Sequence, residues 1–269
     1  VKYMTNEINE KITVANYLQK NNLFLYKLIN KSSLSLFFKN LNVYKTNLVR
    51  IGGDNDGGYL IPNDLEGIKY CFSPGVADSI AFEKDLAKKN ITSFLIDYSI
   101  EKLPEENKLF EFKKKFLGIK NNEKFITINK WIKESSFMNS NTDAILQMDI
   151  EGNEYEVLLD FEEVLMKRFR ILVIEFHQFY DLTTPFGHKI IQAVFDKILQ
   201  NFFIVHIHPN NLFPTMNVLG YEIPNLLEFT FLRKDRLKDK AFIKSLPHDL
   251  DKKNIDTNKE IVLPDYWYK

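Results

Sequence analysis

Between residues 68 and 232 short apolar runs alternate with longer amphipathic ones, and this alternation restricts the fold more than any other feature. Ile68–Ser73 is strand-like, Ala81–Lys89 has helical spacing with one apolar face, and Ile91–Tyr98 is again a strand. Phe110, Phe112 and Phe116 share a parity and argue a third strand, although a lysine cluster weakens the pattern. Phe125–Ile128 is short and extended, and Trp131–Glu134 opens a helix. Ala144–Ile150 and Ile171–Phe176 are strands, the second of the kind buried on both faces. Between them, Asn153–Lys167 is a helix with Tyr155, Leu158, Leu159 and Val164 or Leu165 on one face. Lys189–Leu199 is a helix, Phe202–Ile207 a strand, and Leu227–Leu232 the last strand. Strands alternating with helices predict an α/β fold, with a mostly parallel sheet covered by helices on both faces.

The flanks differ from this body. Residues 1–47 read as a small N-terminal helical appendage. Leu18, Leu25, Leu28 and Ile29 recur at helical spacing, as do Leu34, Phe37, Phe38 and Leu41, with a break at Lys31-Ser32-Ser33. Leu48–Pro62 reads as a hairpin around a Gly- and Asp-rich turn. Asp54-Asn55-Asp56-Gly57 invites a calcium reading, but Tyr59–Ile61 break the alternation of ligands that an EF-hand loop needs. A structural turn is expected there. The polar tail from Lys238 is expected to wrap the surface. Residues 48–269 would form the main domain.

Composition narrows the function classes. With 269 residues, 45% of them hydrophobic, the chain can bury a substantial core, which excludes global disorder. Lys+Arg and Asp+Glu balance at 36 each, so no basic excess draws it to nucleic acid or an anionic membrane. No apolar run approaches a membrane span. The single cysteine, Cys71, excludes an intramolecular disulfide framework and any Cys-rich metal site, and a cytoplasmic location is the simplest expectation. A homo-oligomer is compatible with the sequence.

In an open parallel sheet, ligands bind beyond the C-terminal strand ends. The first strand runs into Ser73-Pro74-Gly75-Val76-Ala77-Asp78, followed by a helix with Phe82 and Glu83. Gly75 would let a ligand approach the backbone closely. The second strand ends in Asp97, placed to accept both hydroxyls of a ribose. Nicotinamide and S-adenosylmethionine sites share this pairing. A dinucleotide site needs Gly-x-Gly-x-x-Gly for its pyrophosphate, and only one glycine is present; S-adenosylmethionine has no phosphate and needs no such nest. The fourth strand ends Gln147-Met148-Asp149-Ile150-Glu151-Gly152-Asn153-Glu154. The fifth ends Ile174-Glu175-Phe176-His177, and the sixth His206-Ile207-His208-Pro209-Asn210-Asn211. Glu175 and His177 share a parity, as do His206 and His208, so each pair faces one side. Acids and imidazoles converging at the ligand edge argue a catalytic or metal role.

Three stretches carry a resemblance: Cys71–Asp78 with Phe82 and Glu83, Leu146–Tyr155, and Val173–His177. They are similar to the FkbM family of S-adenosylmethionine-dependent methyltransferases. The Asp-Ile-Glu-Gly-x-Glu run is the most specific of them. Arg50–Pro62 and the His-x-His-Pro-Asn-Asn run resemble a branch found with bacterial surface (capsular) polysaccharide genes. The resemblance covers about residues 48–250. It implies a Rossmann-like methyltransferase fold with a seven-stranded sheet. It places Ser73, Gly75 and Asp78 at the methionine end of the cofactor, Asp97 and Tyr98 at the ribose, Phe116–Gly118 at the adenine, and Asp149 beside the methyl group. Phe72-Ser73-Pro74-Gly75 departs from the glycine-richer first turn of many methyltransferases.

The implied reaction is transfer of a methyl group to a hydroxyl of a saccharide or nucleotide-sugar precursor. A sugar hydroxyl is a poor acid, so its proton needs a base or a metal. His177 or His208 would serve as base, with a slight preference for that route, or Asp149 and Glu175 would hold Mg²⁺ or Mn²⁺. The competing readings are methyl transfer to a phosphorus-linked glycan decoration, a metal-dependent hydrolase using the Asp/Glu/His cluster, and a non-catalytic nucleotide- or glycan-binding module.

Overall fold

The computed structural model describes residues 12–14, 16–20, 27–77 and 79–269. Residues 12–14 and 16–20 have helical backbone. The rest of the expected appendage before residue 27, and Asp78 of the first turn, lie outside the described residues.

Thirteen strands follow in chain order among the described residues. They are β1 (Leu48–Ile51), β2 (Tyr59–Pro62), β3 (Tyr70–Pro74), β4 (Thr92–Ile96), β5 (Phe110–Lys113), β6 (Phe116–Gly118) and β7 (Phe125–Thr127). Then come β8 (Ala144–Met148), β9 (Phe169–Phe176), β10 (Phe202–Pro209), β11 (Met216–Val218), β12 (Tyr221–Ile223) and β13 (Leu227–Arg233). The α-helices are α1 (Lys31–Lys39), α2 (Ala81–Ala87), α3 (Ile128–Glu134), α4 (Glu154–Asp160), α5 (Glu163–Met166) and α6 (Pro185–Asn201). Seven strands form one sheet in the order β10-β13-β9-β8-β3-β4-β5. The sheet is mixed. Strands β5, β4, β3, β8 and β9 run parallel, whereas β13 is antiparallel to both of its neighbours. The cause is local: the connection from β10 to β13 holds the small hairpin β11–β12 and no α-helix, so the chain turns back instead of crossing over.

The pleat divides the core. Phe72, Leu146 and Leu172 face one side with Ile132, Leu158 and Ile198 of α3, α4 and α6. Their chain neighbours Cys71, Ile145 and Ile171 face the other, against Phe82 and Leu86 of α2 and Leu60 and Ile61 of β2. This is the period of two expected where both sheet faces are covered.

Four expectations are corrected. Helix α1 is not part of an appendage: Leu34, Phe37 and Phe38 lie in the main core, Phe37 packing 5.3 Å from Phe195 and Phe38 4.8 Å from Trp267. The tail does more than wrap the surface, because Leu263 and Trp267 are buried in that core and the Trp267 indole donates to the Glu222 carbonyl at 3.0 Å. The single helix expected over 153–167 is two, since Phe161 leaves helical backbone at ψ 118° to enter the core. The third strand ends at Lys113, and Phe116–Gly118 pairs instead with β7 in a separate parallel ribbon.

From β3 the chain moves outward through β4 and β5, then returns to place β8 on the opposite side of β3. The crevice beyond the C-terminal ends of β3 and β8 is therefore a topological switch point.

Candidate active site

A cavity of about 520 Å³ opens at this switch point, within the ~300–1,000 Å³ usual for small-molecule sites. The β3 turn and the β8 turn meet beneath it. Gly75 sits at φ +83°, and a Cβ there would lie 1.6 Å from the Asp149 carbonyl oxygen. Glycine is thus required first by the crossing of two backbone turns rather than by the approach of a ligand. The Gly75 N–H donates to the Ile96 carbonyl at 3.0 Å, tying the turn to β4 as well.

Asp97 follows β4 and lines the cavity. Its Oδ2 accepts from the Ala77 N–H at 2.9 Å, and its Oδ1 from the Ser99 N–H and hydroxyl at 2.7 and 2.6 Å. Three of roughly four acceptor positions on the carboxylate are therefore used in fixing the rim. Phe116 and Phe125, brought together by the β6–β7 ribbon, form an aromatic wall with ring centroids 5.7 Å apart. Tyr98 stands behind that wall, 5.2 Å from the Phe116 ring, and does not line the cavity. Gly118 does not line it either. A Cβ at Gly118 would fall 2.9 Å from the Phe125 ring, so this glycine gives the ring its room.

Ser73 is fully buried below the cavity floor. Its hydroxyl meets Oε1 of both Glu83 and Gln147, and those two residues, not Ser73, line the space above. One hydroxyl hydrogen cannot serve two acceptors. In acid, below about pH 6, a protonated Glu83 supplies the second, donating to Ser73 while Ser73 donates to Gln147. Burial does push the Glu83 carboxyl up, to about 6, against the opposing effect of the Ser73 hydrogen bond.

The Asp-Ile-Glu-Gly-x-Glu run has a structural logic. Glu151 and Gly152 take φ of 57° and 104°, turning the chain sharply after β8. Buried Glu154 holds that turn: its Oε1 accepts from the Ile150 and Gly152 N–H groups at 3.1 Å each and meets His177 Nδ1 at 3.0 Å. Glu154 was missed as a site residue, although the motif contains it. His177 thereby presents Nε2 to Asp149 Oδ1 at 3.7 Å and to Glu151 Oε2 at 3.4 Å. Asp149 Oδ1 is buried and has no hydrogen-bond partner. Burial raises the Asp149 carboxyl to about 7, which His177 opposes and the acids Glu151, Glu154 and Asp56 reinforce. Burial would lower His177, but the hydrogen bond and charge of Glu154, with Asp149 and Glu151, raise it overall.

His208 and Glu175 stand elsewhere. Neither lines the cavity. Glu175 accepts from Asn210 at 2.9 Å, and Asn210 also reaches Asp56 at 3.4 Å. His208 Nε2 meets Asn254 Oδ1 at 3.2 Å, and the Asn254 amide donates to Glu228 at 2.7 Å and Asp56 at 3.0 Å. Among the described residues, the three-membered group of potential metal ligands containing Asp149 is completed by Glu151 and His177, not by Glu175. Asp56 and Tyr59, carried in from the β1–β2 hairpin, do line the cavity. Distance along the chain hides such partners: Asp56 and Asn254 are 198 residues apart.

This geometry defines an α/β domain with a ligand-sized cavity at the switch point of its sheet and the Asp149 carboxylate at one wall. Residues 125–202 match the model of the Methyltransferase FkbM domain. The match takes in less than half of the chain, but it includes β8, the Asp149–Glu154 turn, β9, His177 and α6. The resemblance carried by those motifs is shown over that stretch. It supports a methyltransferase, with S-adenosylmethionine as the cofactor the family implies. No curated protein matches significantly. Among solved structures, the chain is similar to a fibrillarin/Nop5p complex, with TM-score 0.39 and 13% identity over 63% of this chain and 74% of that one. It is also similar to a proposed SAM-dependent methyltransferase from Streptococcus mutans, with TM-score 0.36 and 12% identity over 62% of this chain and 45% of that one. Likenesses that loose add nothing on function. No helix among the described residues is long and apolar enough to cross a membrane.

Proposed function

We propose that the protein is an S-adenosylmethionine-dependent O-methyltransferase acting on a saccharide hydroxyl in the cytoplasm. One observation carries this reading: a single cavity is walled on its β4 side by Asp97 and the Phe116 ring and on its β8 side by Asp149, a half-buried carboxylate whose Oδ1 has no hydrogen-bond partner. The residues fit the cofactor. The remaining acceptor capacity of Asp97 suits the ribose, the Phe116 and Phe125 rings suit a flat adenine, and the backbone of Gly75–Ala77 suits the methionine end. Tyr98 and Gly118 would support the aromatic wall from behind or beside it. When bound, the cofactor supplies a methyl group on a sulfonium.

Asp149 takes the acceptor's proton in this proposal. Asp149 lines the cavity, and a value of about 7 balances ionisation against basicity near neutral pH. His177, oriented by Glu154, stabilises the ionised carboxylate and shares the proton. His208 does not line the cavity and its Nε2 is engaged with Asn254, so we do not assign it the base.

The acceptor side holds Asp56, Tyr59, Gln147, Asp149 and Glu151. These groups suit the hydroxyls of an uncharged sugar. Among the described residues, the one cation lining the cavity, Lys115, is held by the Asn122 and Glu123 carbonyls. A nucleotide-sugar pyrophosphate or a phosphorus-linked decoration would meet these carboxylates unscreened, so an uncharged glycan segment is favoured. A surface-polysaccharide precursor is consistent with the resemblance of the hairpin and the His-x-His-Pro-Asn-Asn run. In the alternative, Mg²⁺ or Mn²⁺ at Asp149 activates the hydroxyl. Radiolabelled methyl transfer to a panel of neutral glycans, with and without a chelator, tests both. Transfer that survives chelation supports the Asp149 base, and chelator-sensitive transfer restored by Mg²⁺ supports the metal.

A further inference from the structure

A second cluster lies outside the cavity, where β10 meets the C-terminal segment. His206 Nε2 stands 2.8 Å from Asp251 Oδ1, and His208 Nδ1 stands 3.5 Å from the same oxygen. The side chains of all three residues are at least nine-tenths buried. The other Asp251 oxygen is committed, accepting from the His248 N–H at 2.7 Å, which aims Oδ1 at the two imidazoles.

The proton on His208 is fixed from outside. Asn254 spends its amide hydrogens on Glu228 and Asp56, so its Oδ1 can only accept. His208 Nε2 is therefore the donor at 3.2 Å. In the neutral ring that leaves Nδ1 as a bare lone pair, and it is buried without a hydrogen-bond partner. A lone pair facing a carboxylate oxygen in a dry site is unfavourable, and either a proton on Nδ1 or a metal cation held between the two atoms relieves it. Tetrahedral Zn²⁺ bonds N and O ligands at about 2.0–2.2 Å, which puts neighbouring ligand atoms roughly 3–3.5 Å apart. The three atoms here all lie within 4.8 Å of one another. A metal-ligating histidine also commonly donates its other ring N–H to a fixed acceptor, as His208 does to Asn254.

We propose that His206, His208 and Asp251 form a binding site for a first-row divalent cation of the Zn²⁺ class, which fastens the C-terminal segment to β10. Two imidazoles and one carboxylate suit Zn²⁺ better than Mg²⁺. The ion would hold the segment carrying Asn254, and through Asn254 it would hold Asp56 at the cavity wall. It is a structural ion, separate from the proposed methyl transfer, and stands or falls independently of it.

The test uses the full chain, purified without a polyhistidine tag or chelator. Metal analysis after dialysis against micromolar Zn²⁺ should give one equivalent per chain. Co²⁺ should produce visible absorption bands of a tetrahedral site. Zn²⁺ should raise the thermal midpoint of the metal-stripped protein. H208Q and D251N should each weaken Zn²⁺ binding by at least about 10-fold, the lower bound for losing even a supporting group, whereas E151Q should not. A folded wild-type protein that binds no Zn²⁺ above background overturns the proposal without any variant. So does Zn²⁺ binding that E151Q abolishes and H208Q leaves intact, which would place the ion at Asp149, Glu151 and His177.

Discussion

Asp149 is the residue on which the proposed chemistry turns. Its carboxyl is raised to about 7, chiefly by burial, so it is largely protonated in acid and ionised above neutrality. Turnover should rise with pH through that region, because the ionised form accepts the proton. D149N should lower kcat about 10²–10⁴-fold, the usual contribution of a general base, and should remove that limb of the pH profile. Undiminished turnover in D149N would exclude the assignment. Glu83 offers a separate test on stability. Its folded value of about 6 lies above the reference 4.5, so the folded state holds the proton more tightly. The stabilisation is complete below pH 4.5 and is lost as pH rises through about 6, amounting to roughly 2 kcal/mol at about 1.36 kcal/mol per unit. Urea unfolding of the wild type and E83Q across that window should show the slope in the first and its loss in the second. Gly75 was legible as a turn glycine, but its reason was not. G75A places a methyl group on the Asp149 carbonyl at a positive φ, so it should cost at least about 2 kcal/mol of fold stability and reduce ligand binding with it. A G75A protein with an unchanged unfolding midpoint would contradict the turn crossing.

At the scale of elements, the strands announced themselves and the ribbons did not. Runs such as Ile171–Phe176 and Ala144–Met148 are buried along their whole length, and a continuous apolar run is what such strands require. Phe110, Phe112 and Phe116 share a parity, yet the chain leaves the main sheet after Lys113, so one apparent strand became two. The difference matters for function, because the departure carries Phe116 to the cavity wall beside Phe125. F116A should weaken binding of S-adenosylhomocysteine by about 1–3 kcal/mol, the range for one base stacked on an aromatic ring. Unchanged affinity in a folded F116A protein would remove the ring from the adenine site. Helix α1 was legible as a helix from Leu34, Phe37, Phe38 and Leu41. Its place in the core was not, because the contact partners Phe195 and Trp267 lie more than 150 residues away.

Across the whole molecule, the alternation of strands and helices predicts the layered fold, and the strand-end rule points to Asp97 and Asp149, both of which line the cavity. The antiparallel β13 was hidden because its sequence looks like any buried strand, and only its helix-free connection reverses it. The rule over-reached at the sixth strand. His208 ends β10 on the same edge, but Asn254 from the tail takes its ring and turns it away from the cavity. The switch-point cavity is nevertheless where a nucleoside-bearing cofactor belongs. Titration calorimetry of the wild-type protein with S-adenosylhomocysteine tests that most directly. We expect one molecule bound per chain, with affinity reduced in D97N and F116A and nearly unchanged in D149N. A folded protein that binds none of it would contradict the assignment of this cavity to a methyltransferase cofactor.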